Sequence, residues 1–131
     1  LFLDDDTVRH ELFTNFIKDF PKVEVTYVWK VDEAKRAINN TRFNIYCLDH
    51  DLEYDHYCHP AYEGDQNGNA VAKFIAENIP VSNQTIIIHS WNTVGAENMV
   101  NSLKGFKTVR ITFGTHFFSF LRGLISTPTP L

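Results

Sequence analysis

The chain has 131 residues, of which 44% are hydrophobic and 14% aromatic, and its formal net charge is −4. This length and apolar content allow one domain with its own core and exclude a wholly disordered chain. The acidic balance argues against a general nucleic-acid-coating surface but leaves room for a small phosphate-binding pocket. No apolar run approaches the roughly 18 residues of a membrane span, and no signal-peptide pattern is present.

The two cysteines bear on the redox environment of the protein, and the first residue bears on the start of the chain. Cys47 lies in an apolar stretch and Cys58 in a polar one, so we expect no structural disulfide and a reducing, cytoplasmic location. The chain opens at Leu1, without methionine and directly in an apolar strand, so we also expect that a few residues precede it.

Apolar periodicity predicts five strands that alternate with five helices. The predicted strands are residues 1–3, 23–27, 45–48, 85–88 and 109–113, and the predicted helices are residues 7–20, 31–38, 71–79, 96–103 and 117–124. This alternation predicts an α/β fold, a doubly wound five-stranded parallel sheet of order 2-1-3-4-5 with helices on both faces. We expect a single domain over residues 1–125, followed by a loose proline-rich tail over residues 126–131.

The stretch 43–52, FNIYCLDHDL, places polar side chains at the end of the central predicted strand. In open α/β sheets the ligand crevice lies just outside the carboxyl ends of the strands, so Asp49, His50 and Asp51 are candidates for chemistry. An ordinary aspartate-rich turn after the strand is the alternative explanation.

A second acidic cluster, Asp4 to Asp6, follows the first predicted strand. Adjacent carboxylates repel one another unless a cation lies among them, and ligand sets made of oxygen favour Mg²⁺ or Mn²⁺. We therefore expect a divalent cation bound by Asp4, Asp5, Asp49 and Asp51. For Asp6 we expect a helix cap instead.

The fourth predicted strand leads to a third polar group at the same edge. His89, Ser90 and Asn92 follow the run 85–88, and Gly95 directly precedes the next predicted helix. Ser90, Asn92 and the backbone after Gly95 are candidates to bind a phosphate at a helix amino terminus. Trp91 offers a ring on which a nucleotide base can stack, or it packs a loop over the sheet.

The segment between Asp51 and Gly68 has no periodicity and is longer than a typical strand-to-helix loop. It contains His56, Cys58 and His59, which could join a zinc site, but a fourth ligand at recognisable spacing is missing. A solvated lid over the sheet is the simpler explanation.

In its order of elements and polar residues, the whole chain resembles a response-regulator receiver domain. The resemblance matches Asp4 and Asp5 with the acidic pair of receivers, Asp49 with their phosphoacceptor, and Ser90, or else His89, with their hydroxyl residue. The chain departs from receivers after the fifth strand, because residues 112–116 contain no lysine. We therefore expect no stable aspartyl phosphate.

Three features are similar to the cyclic-phosphate processing receiver-like family, a divergent branch found largely in phages and bacteria. They are LDHDL at residues 48–52, the long insert that ends at Gly68, and HSWNTVGAENM at residues 89–99. The resemblance implies metal-assisted hydrolysis of a cyclic phosphate, with a nucleotide or the cyclic-phosphate end of an RNA as the partner.

For that reaction, His50 and His89 are the candidate acid and base, and Asp49 is the third candidate catalytic residue. We expect His89→Ala to lower hydrolysis by about 10²- to 10⁴-fold without unfolding the domain.

Two alternatives to the hydrolase remain. The first is a catalytically silent receiver-like module that binds a phosphorylated ligand or a protein, with no phosphorelay. The second is a haloacid-dehalogenase-type phosphatase, because LFLDDDTV fits its start motif, with Asp4 as nucleophile, Asp6 as general acid and Ser90 in its second motif. Against the second, a regular helix begins at Thr7, and the required lysine is absent. In either case the outer face of the last, aromatic helix is a candidate contact for a homodimer.

Overall fold

Strands alternate with helices throughout the part of the chain that a computed structural model describes, residues 1–52 and 67–126. The strands are β1 (Phe2–Leu3), β2 (Tyr27–Val28), β3 (Ile45–Leu48), β4 (Thr85–Ile88) and β5 (Lys107–Arg110). The helices are α1 (Thr7–Ile17), α2 (Val31–Asn40), α3 (Gly68–Asn78), α4 (Thr93–Ser102) and α5 (Thr115–Ser126).

The strands form one five-stranded sheet in the order β2-β1-β3-β4-β5, and every pairing is parallel. The predicted fold class and strand order are therefore confirmed. In this order β2 and β5 are the edge strands, and β3 is central. Because all five strands run in the same direction, the residues that follow β1, β3 and β4 meet at one edge of the sheet, which we call the carboxyl edge.

The sheet separates two apolar clusters, one on each face. On one face, Phe2, Cys47 and Ile87 pack against residues of α1 and α5 such as Phe13 and Phe117. On the other face, Leu3, Leu48 and Ile88 pack against residues of α2, α3 and α4, including Ile38, Ile75 and Met99. Helices on both faces explain why β3 and β4 are apolar at successive positions instead of alternating.

Several predicted boundaries were wrong. The second strand is Tyr27–Val28 and not residues 23–27, and its two residues pair with the two residues of β1. Helix α1 ends at Ile17 and not at residue 20, and β5 ends at Arg110, before Ile111 and Phe113. Helix α5 is longer than predicted and includes Ser126, which we had placed in the tail.

Some predictions concern residues that lie outside the described part of the chain. They are the proposed ligands His56, Cys58 and His59, and the tail beyond Ser126. Within residues 1–52 and 67–126, no helix is long and apolar enough to span a membrane. The dimer contact through α5 stays a prediction.

Candidate functional site

Asp4, Asp49 and His89 converge at the carboxyl edge, where they follow β1, β3 and β4. All three are buried, with 0%, 3% and 0% of their surface exposed. One side-chain ligand atom from each lies within 4.8 Å of those of the other two, close enough to share a metal ion. Of the four predicted metal ligands, the structure thus brings Asp4 and Asp49 together and adds His89.

The carboxylate of Asp4 is the most constrained group of the site. Its Oδ1 accepts a hydrogen bond from the Asp6 backbone N–H at 2.9 Å, and its Oδ2 accepts one from His89 Nε2 at 3.0 Å. Burial favours the neutral acid, but the His89 and Asp6 hydrogen bonds and the nearby Arg9 charge outweigh it and lower the pKa of Asp4. Asp4 is therefore ionised at neutral pH.

His89 is enclosed by aromatic rings. It stacks on Phe2 with 5.2 Å between ring centroids, and the edges of Phe113 and Phe117 close its other sides. Burial lowers the pKa of His89 despite its hydrogen bond with Asp4, so the neutral ring donates from Nε2. A side chain with no exposed surface does not reach a substrate, and this geometry favours a role in orienting Asp4.

Asp49 carries a less compensated charge than Asp4. Its Oδ1 accepts a hydrogen bond from the His50 backbone N–H at 2.9 Å. Burial, and secondly the charge of Asp4, raise the pKa of Asp49 to about 7, and Asp5 contributes in the same direction. Asp5, which we predicted as a metal ligand, is not part of the group formed by Asp4, Asp49 and His89, and only its charge acts on Asp49. At neutral pH the pair Asp4 and Asp49 holds a proton that an added cation would displace.

Arg9 of α1 is a residue of the site that sequence analysis missed. Its Nη1 lies 3.3 Å from Asp4 Oδ2 and 3.6 Å from Asp49 Oδ2. Its guanidinium carbon also lies 5.6 Å from the centre of the Phe113 ring. Phe113 follows β5, in the region where receivers have a lysine, so α1 brings a cation to a place where we expected none. The adjacent carboxylates did indicate a nearby cation, because such groups repel one another, but they did not indicate which residue supplies it.

His50 forms a second polar group with Asp51 and Asn92. His50 Nδ1 lies 2.8 Å from Asp51 Oδ1, and since a carboxylate only accepts, Nδ1 carries the proton. Asn92 Nδ2 donates to the same Asp51 oxygen at 3.1 Å. The 3.4 Å contact between Asn92 Nδ2 and His50 Nδ1 then joins two donors and is not a hydrogen bond. Nε2 of His50 makes no hydrogen bond to the residues that the structure describes.

Two glycines make room for this arrangement. A Cβ on Gly95 would lie 2.5 Å from the His50 ring, and a Cβ on Gly68 would lie 1.9 Å from the Asp49 carbonyl oxygen. The amide of Gly95 already donates to Asn92 Oδ1 at 2.8 Å, an N-cap of α4. Gly95 therefore seats the His50 ring, and its N–H is not available to the phosphate that we expected it to bind.

The remaining predicted site residues lie around these groups. Asp51 is exposed and turned towards His50, and in the described residues it is not part of the group formed by Asp4, Asp49 and His89. Ser90 is buried, and its Oγ accepts a hydrogen bond from the Asn92 backbone N–H at 3.0 Å. A hydroxyl that accepts one hydrogen bond still has its own proton to donate, so Ser90 fits a phosphate oxygen better than Asn92 does.

Comparisons with known proteins agree with the fold. The sequence profile described as "Cyclic-phosphate processing Receiver domain" matches residues 1–105. The structure resembles the signal receiver domain assigned to a Luxo repressor protein of Vibrio parahaemolyticus, with 18% identity and a TM-score of 0.67 over 95% of this chain and 84% of that one. It also resembles the receiver domain of NtrX from Brucella abortus, with 17% identity and a TM-score of 0.63 over 94% and 93%. No curated protein matches the sequence.

Proposed function

Because the chain belongs to the cyclic-phosphate processing receiver family, we propose that it hydrolyses a cyclic phosphate, on a nucleotide or at an RNA end, with the help of a divalent cation. The observation that carries this proposal is the position of His50, whose Nδ1 is held by Asp51 while its backbone N–H binds Asp49. An oriented imidazole and a buried acidic pair thus share the carboxyl edge.

The residues at this edge fit Mg²⁺ or Mn²⁺. Asp4 and Asp49 offer carboxylate oxygens. Burial, and secondly the charge of Asp4, raise the pKa of Asp49 to about 7, and a divalent cation would oppose this shift by favouring the ionised carboxyl. His89 Nε2 can bind an ion only without the proton that it donates to Asp4, so we assign the cation to the two carboxylates. Such a cation would neutralise charge on the phosphoryl oxygens.

Proton transfer falls to His50. Its Nε2 accepts a proton from water as the water oxygen bonds to phosphorus, and Asp51 stabilises the resulting imidazolium. The ribose oxygen leaves on the side of the phosphorus opposite to the attacking water, out of reach of the same ring nitrogen, so it takes its proton from solvent as the phosphorus–oxygen bond of the ring breaks. His50 thus serves as the base and later releases its proton to solvent, and the reaction needs no proton from His89.

The remaining groups position the substrate. Ser90 can donate to a phosphoryl oxygen, and Trp91, which is 66% exposed, offers a ring to a base of the nucleotide. A nucleotide end satisfies both, whereas inorganic phosphate satisfies only the first.

The test is turnover of 2′,3′-cyclic nucleotides and of RNA with a cyclic phosphate end, followed by ³¹P NMR with Mn²⁺, with Mg²⁺ and with EDTA. We expect ring opening that EDTA abolishes and that His50→Gln lowers by about 10²- to 10⁴-fold. Asp51→Asn should lower it as well, while Asp19→Asn, an exposed aspartate beyond the far end of α1, should not. No turnover of any of these substrates would contradict the proposal and favour a binding module.

A further inference from the structure

Arg9 stands where a divalent cation would have to bind. Its Nη1 contacts Oδ2 of both Asp4 and Asp49, at 3.3 and 3.6 Å, and so fills the space between the two carboxylates. Mg²⁺ binds carboxylate oxygens at about 2.0–2.1 Å, so the ion and the guanidinium exclude each other from this space. The acidic pair therefore holds either Arg9 or the ion.

The contacts of Arg9 with the carboxylates are loose. Charge-assisted hydrogen bonds between nitrogen and oxygen are typically about 2.7–2.9 Å, shorter than either contact. The side chain is also 25% exposed, so the guanidinium can move towards solvent without opening the core. Both features make Arg9 replaceable by an ion that brings two positive charges instead of one.

A guanidinium that is displaced from the two carboxylates can still contact the Phe113 ring. The Phe113 ring lies 5.6 Å from the guanidinium carbon, and the backbone N–H of Phe113 donates to the His89 carbonyl oxygen at 3.0 Å. From this ring Arg9 can offer its planar fork of N–H donors to two phosphate oxygens. Residues 112–116, which follow β5, supply no other cation.

We propose that Arg9 is an exchangeable cation, which occupies the acidic pair of Asp4 and Asp49 until a divalent ion binds and then moves to the phosphate of the substrate. This inference rests on the proposed function and adds the residue that recognises the phosphate. Its consequence is coupling, because the phosphate draws Arg9 off the carboxylates and so favours the ion. The ion strengthens phosphate binding by the same factor.

The coupling is measurable without turnover. Mn²⁺ affinity is determined by calorimetry with and without inorganic phosphate, and a protein-free titration corrects for association of the two ions in solution. For the wild type we expect phosphate to raise Mn²⁺ affinity at least about fivefold. Arg9→Gln should bind Mn²⁺ about tenfold more tightly in the absence of phosphate and should show weaker coupling than the wild type, because only the direct attraction between the ion and the phosphate remains.

Two further variants keep this test interpretable. Arg36→Gln removes an exposed guanidinium on α2 and should behave as the wild type. Arg9→Lys keeps the charge but not the fork, so it should retain wild-type Mn²⁺ affinity with weaker coupling. Circular dichroism at the titration temperature establishes that each variant is folded.

The results separate this inference from the proposed function. Unchanged or weaker Mn²⁺ binding by Arg9→Gln, coupling in that variant as strong as in the wild type, or no Mn²⁺ binding by either protein would overturn the role of Arg9. If the expected binding is observed but no cyclic phosphate is opened, the role of Arg9 stands and the hydrolase is contradicted. If turnover is observed but Arg9→Gln binds Mn²⁺ as the wild type does, the hydrolase stands and the role of Arg9 is contradicted.

Discussion

The ring of His50 lies against the backbone of Gly95, so closely that a Cβ at residue 95 would come within 2.5 Å of the imidazole. The two residues belong to different parts of the chain, one directly after β3 and the other in the first turn of α4. This contact, together with the hydrogen bond to Asp51, fixes the orientation of the imidazole.

Gly95→Ala should therefore impair catalysis more than it impairs folding. The added methyl group must push the His50 ring away, and a shift of about 1 Å in a catalytic group can cost about 10²-fold in rate. We expect kcat/KM for cyclic phosphate to fall by up to that factor.

Gly123→Ala in α5 is the matched control for this variant. A Cβ there meets nothing within 4 Å, so this exchange should leave kcat/KM unchanged and stabilise the helix by about 0.5–1 kcal/mol. Equal activity of the two alanine variants would show that the position of the His50 ring does not matter for turnover.

Asp49→Asn should stabilise the protein at alkaline pH. Asp49 has a pKa of about 7 in the folded protein and an ordinary value of 3.8, so its contribution to stability is complete below about pH 4 and is lost as the pH rises through 7. An asparagine at residue 49 does not ionise, so the variant does not lose this stability as the pH rises. Its side-chain oxygen can still accept the hydrogen bond from the His50 backbone N–H. In EDTA at pH 8 we expect a melting temperature on the order of 5 °C above that of the wild type, and a smaller difference at pH 5.

Calorimetric scans of both proteins at pH 5, 6, 7 and 8 test this expectation, with Asp19→Asn as a control for the loss of one negative charge. A wild type that melts above Asp49→Asn at pH 8 would mean that the Asp49 charge is already compensated in the folded protein.

Mn²⁺ affinity should rise with pH across the same range. The proton on Asp49 competes with the ion, so affinity should increase between pH 6 and pH 8 and level off above. About one proton should be released per ion below pH 7, measurable by calorimetry in buffers of different ionisation enthalpy. Affinity that does not change from pH 6 to pH 8 would place the ion away from Asp49.

His89→Ala should destabilise the fold, contrary to what the sequence led us to expect. The substitution leaves a cavity beside Phe2 and Phe117 and removes the hydrogen bond to the buried Asp4 carboxylate. We expect a loss of about 3 kcal/mol in the free energy of unfolding, read from urea denaturation. A loss below about 1 kcal/mol, with activity lowered by about 10²-fold or more, would return His89 to the role of proton donor.

The sheet was predictable because its central strands consist of continuous apolar runs. The runs 45–48 and 85–88 favour strands covered on both faces, and their alternation with helices predicts a parallel, doubly wound sheet. The same logic placed Asp4 and Asp49 at one edge. Strand β2 was harder, because only two of its residues pair and no pattern marks so short a strand.

The chemical environment of the site was less predictable than its location. The burial of His89 depends on Phe2 and Phe113, which come from two other parts of the sheet and are not its sequence neighbours. The position of Arg9 depends on the direction in which a long side chain leaves a helix, and residue spacing does not encode that direction. Asp51 and His50 are sequence neighbours, but an exposed aspartate after a strand can contact many side chains. The sequence therefore did not predict this contact.

The two outer strands of the sheet make lateral self-association unfavourable. An unpaired strand edge is a template on which a second chain can add a strand and begin an aggregate. Here one edge strand, β2, offers only two residues, and the other edge strand, β5, exposes Lys107 and Arg110 at its ends. Two copies aligned in parallel along β5 would bring like charges together, so the protein should tolerate high concentration without growing fibrils from this sheet.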